Sequence, residues 1–98
     1  MEIIKKVDGA RLSIRLEGRL DTTTAPQLEA ELKESLKGAT ALTLDFEKLA
    51  YISSAGLRVI LFAIKAMKKQ GTMVVKNVNE TVMEVFEITG FADMLTIE

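Results

Sequence analysis

Large apolar residues recur along the chain in two periods, and the change from one period to the other marks out its elements. Ile3, Ile4 and Val7 precede Asp8-Gly9, after which Leu12, Ile14 and Leu16 alternate with Arg11, Ser13, Arg15 and Glu17. A period of two belongs to a half-buried strand, and an Asp-Gly pair between two such runs favours a tight hairpin. The first two strands are therefore expected to be antiparallel neighbours. The alternation of the second leaves it one wet face, so helices are expected on one side of this part of the sheet only, which disfavours a doubly wound arrangement.

Gly18-Arg19-Leu20-Asp21 closes the hairpin, and Thr22-Thr23-Thr24 leads into Ala25-Pro26-Gln27. Thr24 and Gln27 have capping-box spacing and proline falls in the first turn, which predicts a helix from about Ala25. Leu28, Leu32 and Leu36 recur every four residues on that helix, opposite Glu29, Lys33, Glu34 and Lys37, and Gly38 supplies a stop. The period then returns to two over Ala41–Phe46, which reads as a strand. Glu47-Lys48-Leu49-Ala50 reads as a link, and a second helix is expected from Ser54 to about Gln70, ended by Gly71. Thr72 to Lys76 predicts a strand parallel to the previous one through a right-handed crossover. Asn77 and Asn79 offer caps for a third helix carrying Val78, Val82, Val85 and Phe86, stopped by Gly90, and Met94 to Ile97 predicts a short last strand. The sum is a single α/β domain over residues 1–98: a mixed sheet of four to five strands with helices packed mainly on one face.

Composition narrows what such a domain can do. The 98 residues are 48% hydrophobic and 28% charged, which suits one modest core and argues against disorder. Thirteen basic and 14 acidic residues leave a formal charge of −1, without the basic footprint that nucleic-acid binding requires, so no nucleic-acid partner is expected. Cysteine and histidine are absent, which removes thiol chemistry, the usual zinc ligands and any imidazole acid or base; no cofactor or metal is expected. The apolar run Leu57 to Ile64 is far shorter than the roughly 20 residues a bilayer requires. The amino terminus has no positive stretch followed by an apolar one, so the expectation is a cytoplasmic protein without membrane insertion.

The chemistry left concentrates at Tyr51-Ile52-Ser53-Ser54-Ala55-Gly56-Leu57, where strand passes to helix. A serine near a glycine at such a turn suggests a hydrolase elbow, but Ile52 stands where the first glycine belongs and no histidine can take the hydroxyl proton. A catalytic site is not expected. The plain alternative is that Ser53 or Ser54 caps the helix. The functional alternative is a modification switch, because a phosphate adds about −1.5 to −2 charges and is tolerated at a helix N-terminus while repelling a close-packed partner. Placed on a helical repeat, Ser54, Arg58, Lys65 and Lys69 share one side with Leu61 and Phe62 at its borders, while Leu57, Ile60, Ala63, Ile64 and Met67 face away. Phe62 is thus expected to be partly exposed, either under a neighbouring loop or as a partner anchor flanked by Arg58 and Lys65.

With Gly18-Arg19-Leu20-Asp21 and Ser53-Ser54-Ala55-Gly56-Leu57 before an apolar helix, nearly the whole chain resembles a STAS domain of the bacterial anti-sigma factor antagonist type. The resemblance implies binding to an anti-sigma factor that is also a serine kinase, loss of binding on phosphorylation, and restoration by a cognate phosphatase. It places the acceptor at Ser54, the position just before the triplet ending in Gly56-Leu57. Ser53 stands where that family has aspartate and Ala55 where it has a hydroxyl residue, so two adjacent hydroxyls compete, and only Ser54 keeps the family's spacing to glycine. Asp21 matches an acidic residue near the acceptor. The implied partner surface comprises Asp21, Thr22, Ser53, Ser54 and Gly56, extended by Arg58, Phe62 and Lys65 from the helical projection. The alternative within the same fold is a nonphosphorylated adaptor subunit of a transporter or signalling complex.

Overall fold

The structure is a computed structural model that describes Met1–Glu98. Strands β1 (Glu2–Asp8) and β2 (Arg11–Leu20) form the expected antiparallel hairpin about Gly9-Ala10, with Asp8 opposite Arg11. Helix α1 (Ala25–Ser35) leads to β3 (Ala41–Ile52), α2 (Ser54–Lys68) to β4 (Thr72–Lys76), and α3 (Glu80–Thr89), through a short 3-10 turn at Phe91–Asp93, to β5 (Thr96–Ile97). The five strands lie in chain order, and every pair after the first is parallel. Successive right-handed crossovers that step in one direction place their helices on one face. The other face carries Lys6, Ser13, Arg15, Thr43, Asp45 and Lys76, as the alternation in β2 requires.

The core is a cluster of 23 buried residues, all of them apolar, and it contains no buried polar or charged residue. Any chemistry must therefore be done at the surface. Leu12, Ile14 and Leu16 from β2 and Leu42, Leu44 and Phe46 from β3 meet Leu28 and Leu32 of α1 and Ile60 and Ala63 of α2. Phe86 of α3 extends this layer, its ring centroid 6.3 Å from that of Phe46.

Several boundaries differ from the sequence reading, each for a local reason. β3 continues through Glu47-Lys48 to Ile52, and β2 runs on to Leu20, because the ladder between them shifts register after Arg15 and again after Gly18. These irregularities turn Leu49 and Ile52 back into the core after three-residue steps, so the period of two breaks without ending the strand. The Thr24–Gln27 capping box does not form: Thr24 makes no side-chain cap, and its hydroxyl donates to the Arg19 carbonyl at 2.8 Å. α2 ends at Lys68, and Gly71 answers a different need. A Cβ there would lie 1.9 Å from the Thr40 carbonyl oxygen, so only glycine lets the chain pass. Asn79 alone caps α3, accepting from the Val82 N–H at 2.8 Å, while Asn77 takes a positive φ of 59° and donates to Asp45. The last strand is confined to Thr96–Ile97.

Candidate functional site

Parallel neighbours β2 and β3 end at the same edge of the sheet, where Leu20 pairs with Ile52. The residues that follow them, Asp21 and Ser53, are thereby brought together, and the Ser53 N–H donates to the Leu20 carbonyl at 2.9 Å. The carboxyl edge of such strands is where open α/β sheets place their binding sites.

The Asp21 carboxylate organises its own loop. Its Oδ1 accepts from the backbone N–H groups of Thr23 at 3.0 Å and Thr24 at 3.1 Å, and the Asp21 N–H donates to Thr24 Oγ1 at 2.9 Å. Arg19 Nε lies 3.7 Å from Oδ2, and its guanidinium stacks over Tyr51, 4.7 Å from the ring centroid. The Thr24 N–H above all lowers the Asp21 pKa; desolvation opposes it, and the Thr23 N–H, the Thr24 hydroxyl and the Arg19 charge add to the lowering. Asp21 is thus an ionised, prearranged acceptor beside the next turn.

At that turn the two serines take different parts. Ser53 is the N-cap of α2, with extended backbone at φ −100° and ψ 176°, and its Oγ accepts from the Gly56 N–H at 3.4 Å. Ser54 is the first helical residue, exposed, with no hydrogen-bond partner for its hydroxyl. Backbone N–H groups of this first turn lack intrahelical acceptors, so the environment favours negative charge on Ser54. Gly56, expected on the contact surface, is instead buried. A Cβ at this position would stand 2.7 Å from Leu20 Cγ and 2.9 Å from Ile52 Cγ1, so glycine is what lets the helix start press onto the ends of both strands.

Beyond the turn, Arg58 and Lys65 are exposed and Phe62 is half-buried against the core, in keeping with the helical projection. The structure adds what that projection could not supply, a facing wall from α1. Thr22, Ala25, Pro26 and Glu29 stand across from Ala55, Arg58 and Val59 and bound a shallow groove of about 160 Å³. Thr22 and Arg58 were predicted site residues; Pro26, Glu29 and Ala55 were not. The available signal was topological: two consecutive crossovers on one face set the starts of their helices side by side. Phe62 and Lys65 lie outside this groove, one and two turns farther along α2. No cluster of three or more carboxylates, histidines or cysteines suited to a metal occurs, and no helix is long and apolar enough to cross a membrane.

The sequence profile of the STAS domain family matches residues 2–98. The chain belongs to the STAS domain family. It is similar to BtrV of Bordetella bronchiseptica, a candidate anti-sigma factor antagonist, with 42% identity over 94% of this chain and 80% of that protein. It is also similar to the anti-sigma-B factor antagonist of Listeria monocytogenes, with 30% identity over 97% of this chain and 85% of that protein. Among solved structures, the Bacillus cell fate determinant SpoIIAA in its phosphorylated form superposes with a TM-score of 0.77 at 22% identity, covering 99% of this chain and 91% of that one. This STAS architecture of five mixed strands and three helices is the one expected from the sequence.

Proposed function

We propose that this STAS domain is an anti-sigma factor antagonist that binds a kinase-type anti-sigma factor and is switched off by phosphorylation of Ser54. Two relatives at 42% and 30% identity bear the antagonist name, which supports the binding role. The observation that carries the switch is the division of labour between the serines: Ser53 is engaged as the helix cap, whereas Ser54 is exposed and uncommitted. In the reaction, Ser54 Oγ bonds to the γ-phosphorus of ATP as the bond to the β,γ-bridging oxygen breaks and ADP leaves. The hydroxyl proton goes to a base on the kinase, since this chain has no histidine to receive it. A phosphatase reverses the modification by hydrolysing the phosphate ester.

Unmodified, the Asp21 loop, the Ser53-Ser54 turn and the outer face of α2 form one surface for the partner. A phosphate in its midst adds about two negative charges next to the ionised Asp21, which repels a partner shaped to that surface without disturbing the apolar core beneath. The protein acts by binding, with no catalytic residue of its own. The test is incubation with candidate anti-sigma kinases and ATP, followed by mass spectrometry of the modified peptide. Phosphate on Ser54, abolished by Ser54→Ala, is expected. Modification confined to Ser53 would overturn the assignment, and absence of any modification by a partner that binds would favour the adaptor role.

A further inference from the structure

We propose that Arg58 is the residue that captures the phosphate on Ser54, so that modification also withdraws the one cation lining the groove between α1 and α2. This rests on the Ser54 switch proposed above and concerns how it works. Ser54 is the first helical residue of α2 and Arg58 follows four positions later, the spacing at which helical side chains meet on one face. Both are exposed.

Arg58 is also uncommitted. The ion pairs of the structure engage Lys5, Arg15, Arg19 and Lys33, and Arg58 has none. Glu29, the carboxylate across the groove, is held by Lys33 at 3.7 Å, and Asp21, the other acid facing the turn, is held by Arg19 at 3.7 Å. A guanidinium offers a planar fork that matches two phosphate oxygens, so an uncommitted arginine one turn away is a ready ligand.

The same geometry distinguishes the two hydroxyls. One turn beyond Ser53 lie Gly56 and Leu57, both buried, so a phosphate on Ser53 has no cation at the three- or four-residue spacing. It would also disrupt the cap that the Ser53 hydroxyl gives to Gly56. Phosphorylation of Ser54 therefore changes the surface twice. It adds negative charge at the turn, and it removes the Arg58 cation from the wall that faces Thr22, Pro26 and Glu29.

The test installs phosphoserine at position 54 of the full chain by genetic encoding, without any kinase, and follows the phosphate by 31P NMR. The titration runs between about pH 4 and pH 8, bracketing the ordinary second ionisation at about 6. Pairing with Arg58 predicts a midpoint lower by about 0.3 pH unit than in the Arg58→Gln variant, with Arg58→Lys between them and the difference shrinking in high salt. The Arg58 Nε–H should also become protected from solvent exchange on phosphorylation and not before. Equal midpoints in the parent and Arg58→Gln, or an Arg58 Nε–H that exchanges equally in both states, would overturn the proposal. Because the phosphate is placed synthetically, either result stands apart from whether a kinase selects Ser54, which the mass spectrometry above decides.

Discussion

Replacing Gly56 with alanine tests whether the start of α2 depends on close contact with the strand ends. The added Cβ would lie 2.7 Å from Leu20 Cγ, 2.9 Å from Ile52 Cγ1 and 3.1 Å from Leu20 Cδ2. Both neighbours are core residues, 0% and 1% exposed, with little room to yield. Overpacking of this kind costs about 1–3 kcal/mol. Alanine's better helix propensity returns up to about 1 kcal/mol, so a mid-range overpacking cost of about 2 kcal/mol leaves a net loss of about 1–2 kcal/mol. For a chain of this size such a loss lowers Tm by roughly 5–10 °C, readable by circular dichroism or calorimetry. Ser54→Ala, at an exposed position two residues away, should leave Tm within about 2 °C and serves as the control. A Gly56→Ala protein that melts at or above the parent would refute the claim that this glycine is a packing requirement.

Further predictions follow from the same geometry. Gly71→Ala should destabilise more than Gly56→Ala in urea unfolding, because its Cβ would meet backbone, the Thr40 carbonyl at 1.9 Å, and no side chain can rotate away. Asn79→Ala should cost about 1–2 kcal/mol in the same experiment, since it removes both the cap on Val82 and the amide donated to the Leu49 carbonyl at 2.7 Å. The lowered pKa of Asp21 means that its contribution to the loop is complete above the ordinary carboxylate pKa of about 3.9 and is lost as pH falls through the lower folded value. The amide NMR shifts of Thr23 and Thr24 should therefore titrate below about pH 3.9, and a midpoint above that value would contradict the hydrogen-bonding assigned to Asp21. Phe62→Ala should weaken partner binding by more than its loss of stability explains, measured by calorimetric titration alongside a urea melt; an unchanged affinity would remove Phe62 from the surface.

The hairpin, the crossovers and the one-faced helices were legible because each rests on a period that the residues display directly. Leu12, Ile14 and Leu16 alternate, and Leu28, Leu32 and Leu36 return every turn. The continuation of β3 past Phe46 was not legible, because a bulge moves the inward residues to Leu49 and Ile52, and Glu47-Lys48 then resembles a link. The Thr24 cap failed for a competitive reason. The Thr24 oxygen accepts instead from the Asp21 N–H at 2.9 Å, while its hydrogen goes to the Arg19 carbonyl, and only the folded loop brings those two groups near. At the site, the family resemblance favoured Ser54 over Ser53, and the helical projection put Arg58 and Lys65 on one side with Phe62 at its border. The burial of Gly56 and the α1 wall of Pro26 and Glu29 depend on which elements become neighbours, and that is settled by sheet order, not by any local pattern.

One phosphate on Ser54 is expected to separate this domain from its partner while leaving the fold intact. The direct measurement is a calorimetric titration of a kinase-type anti-sigma factor with the unmodified chain and with the chain carrying phosphoserine at position 54, both shown by circular dichroism to be folded. Binding by the unmodified chain is expected, with an affinity at least about tenfold weaker for the phosphorylated one, a difference of about 1.4 kcal/mol. Equal affinity of the two folded forms would contradict it.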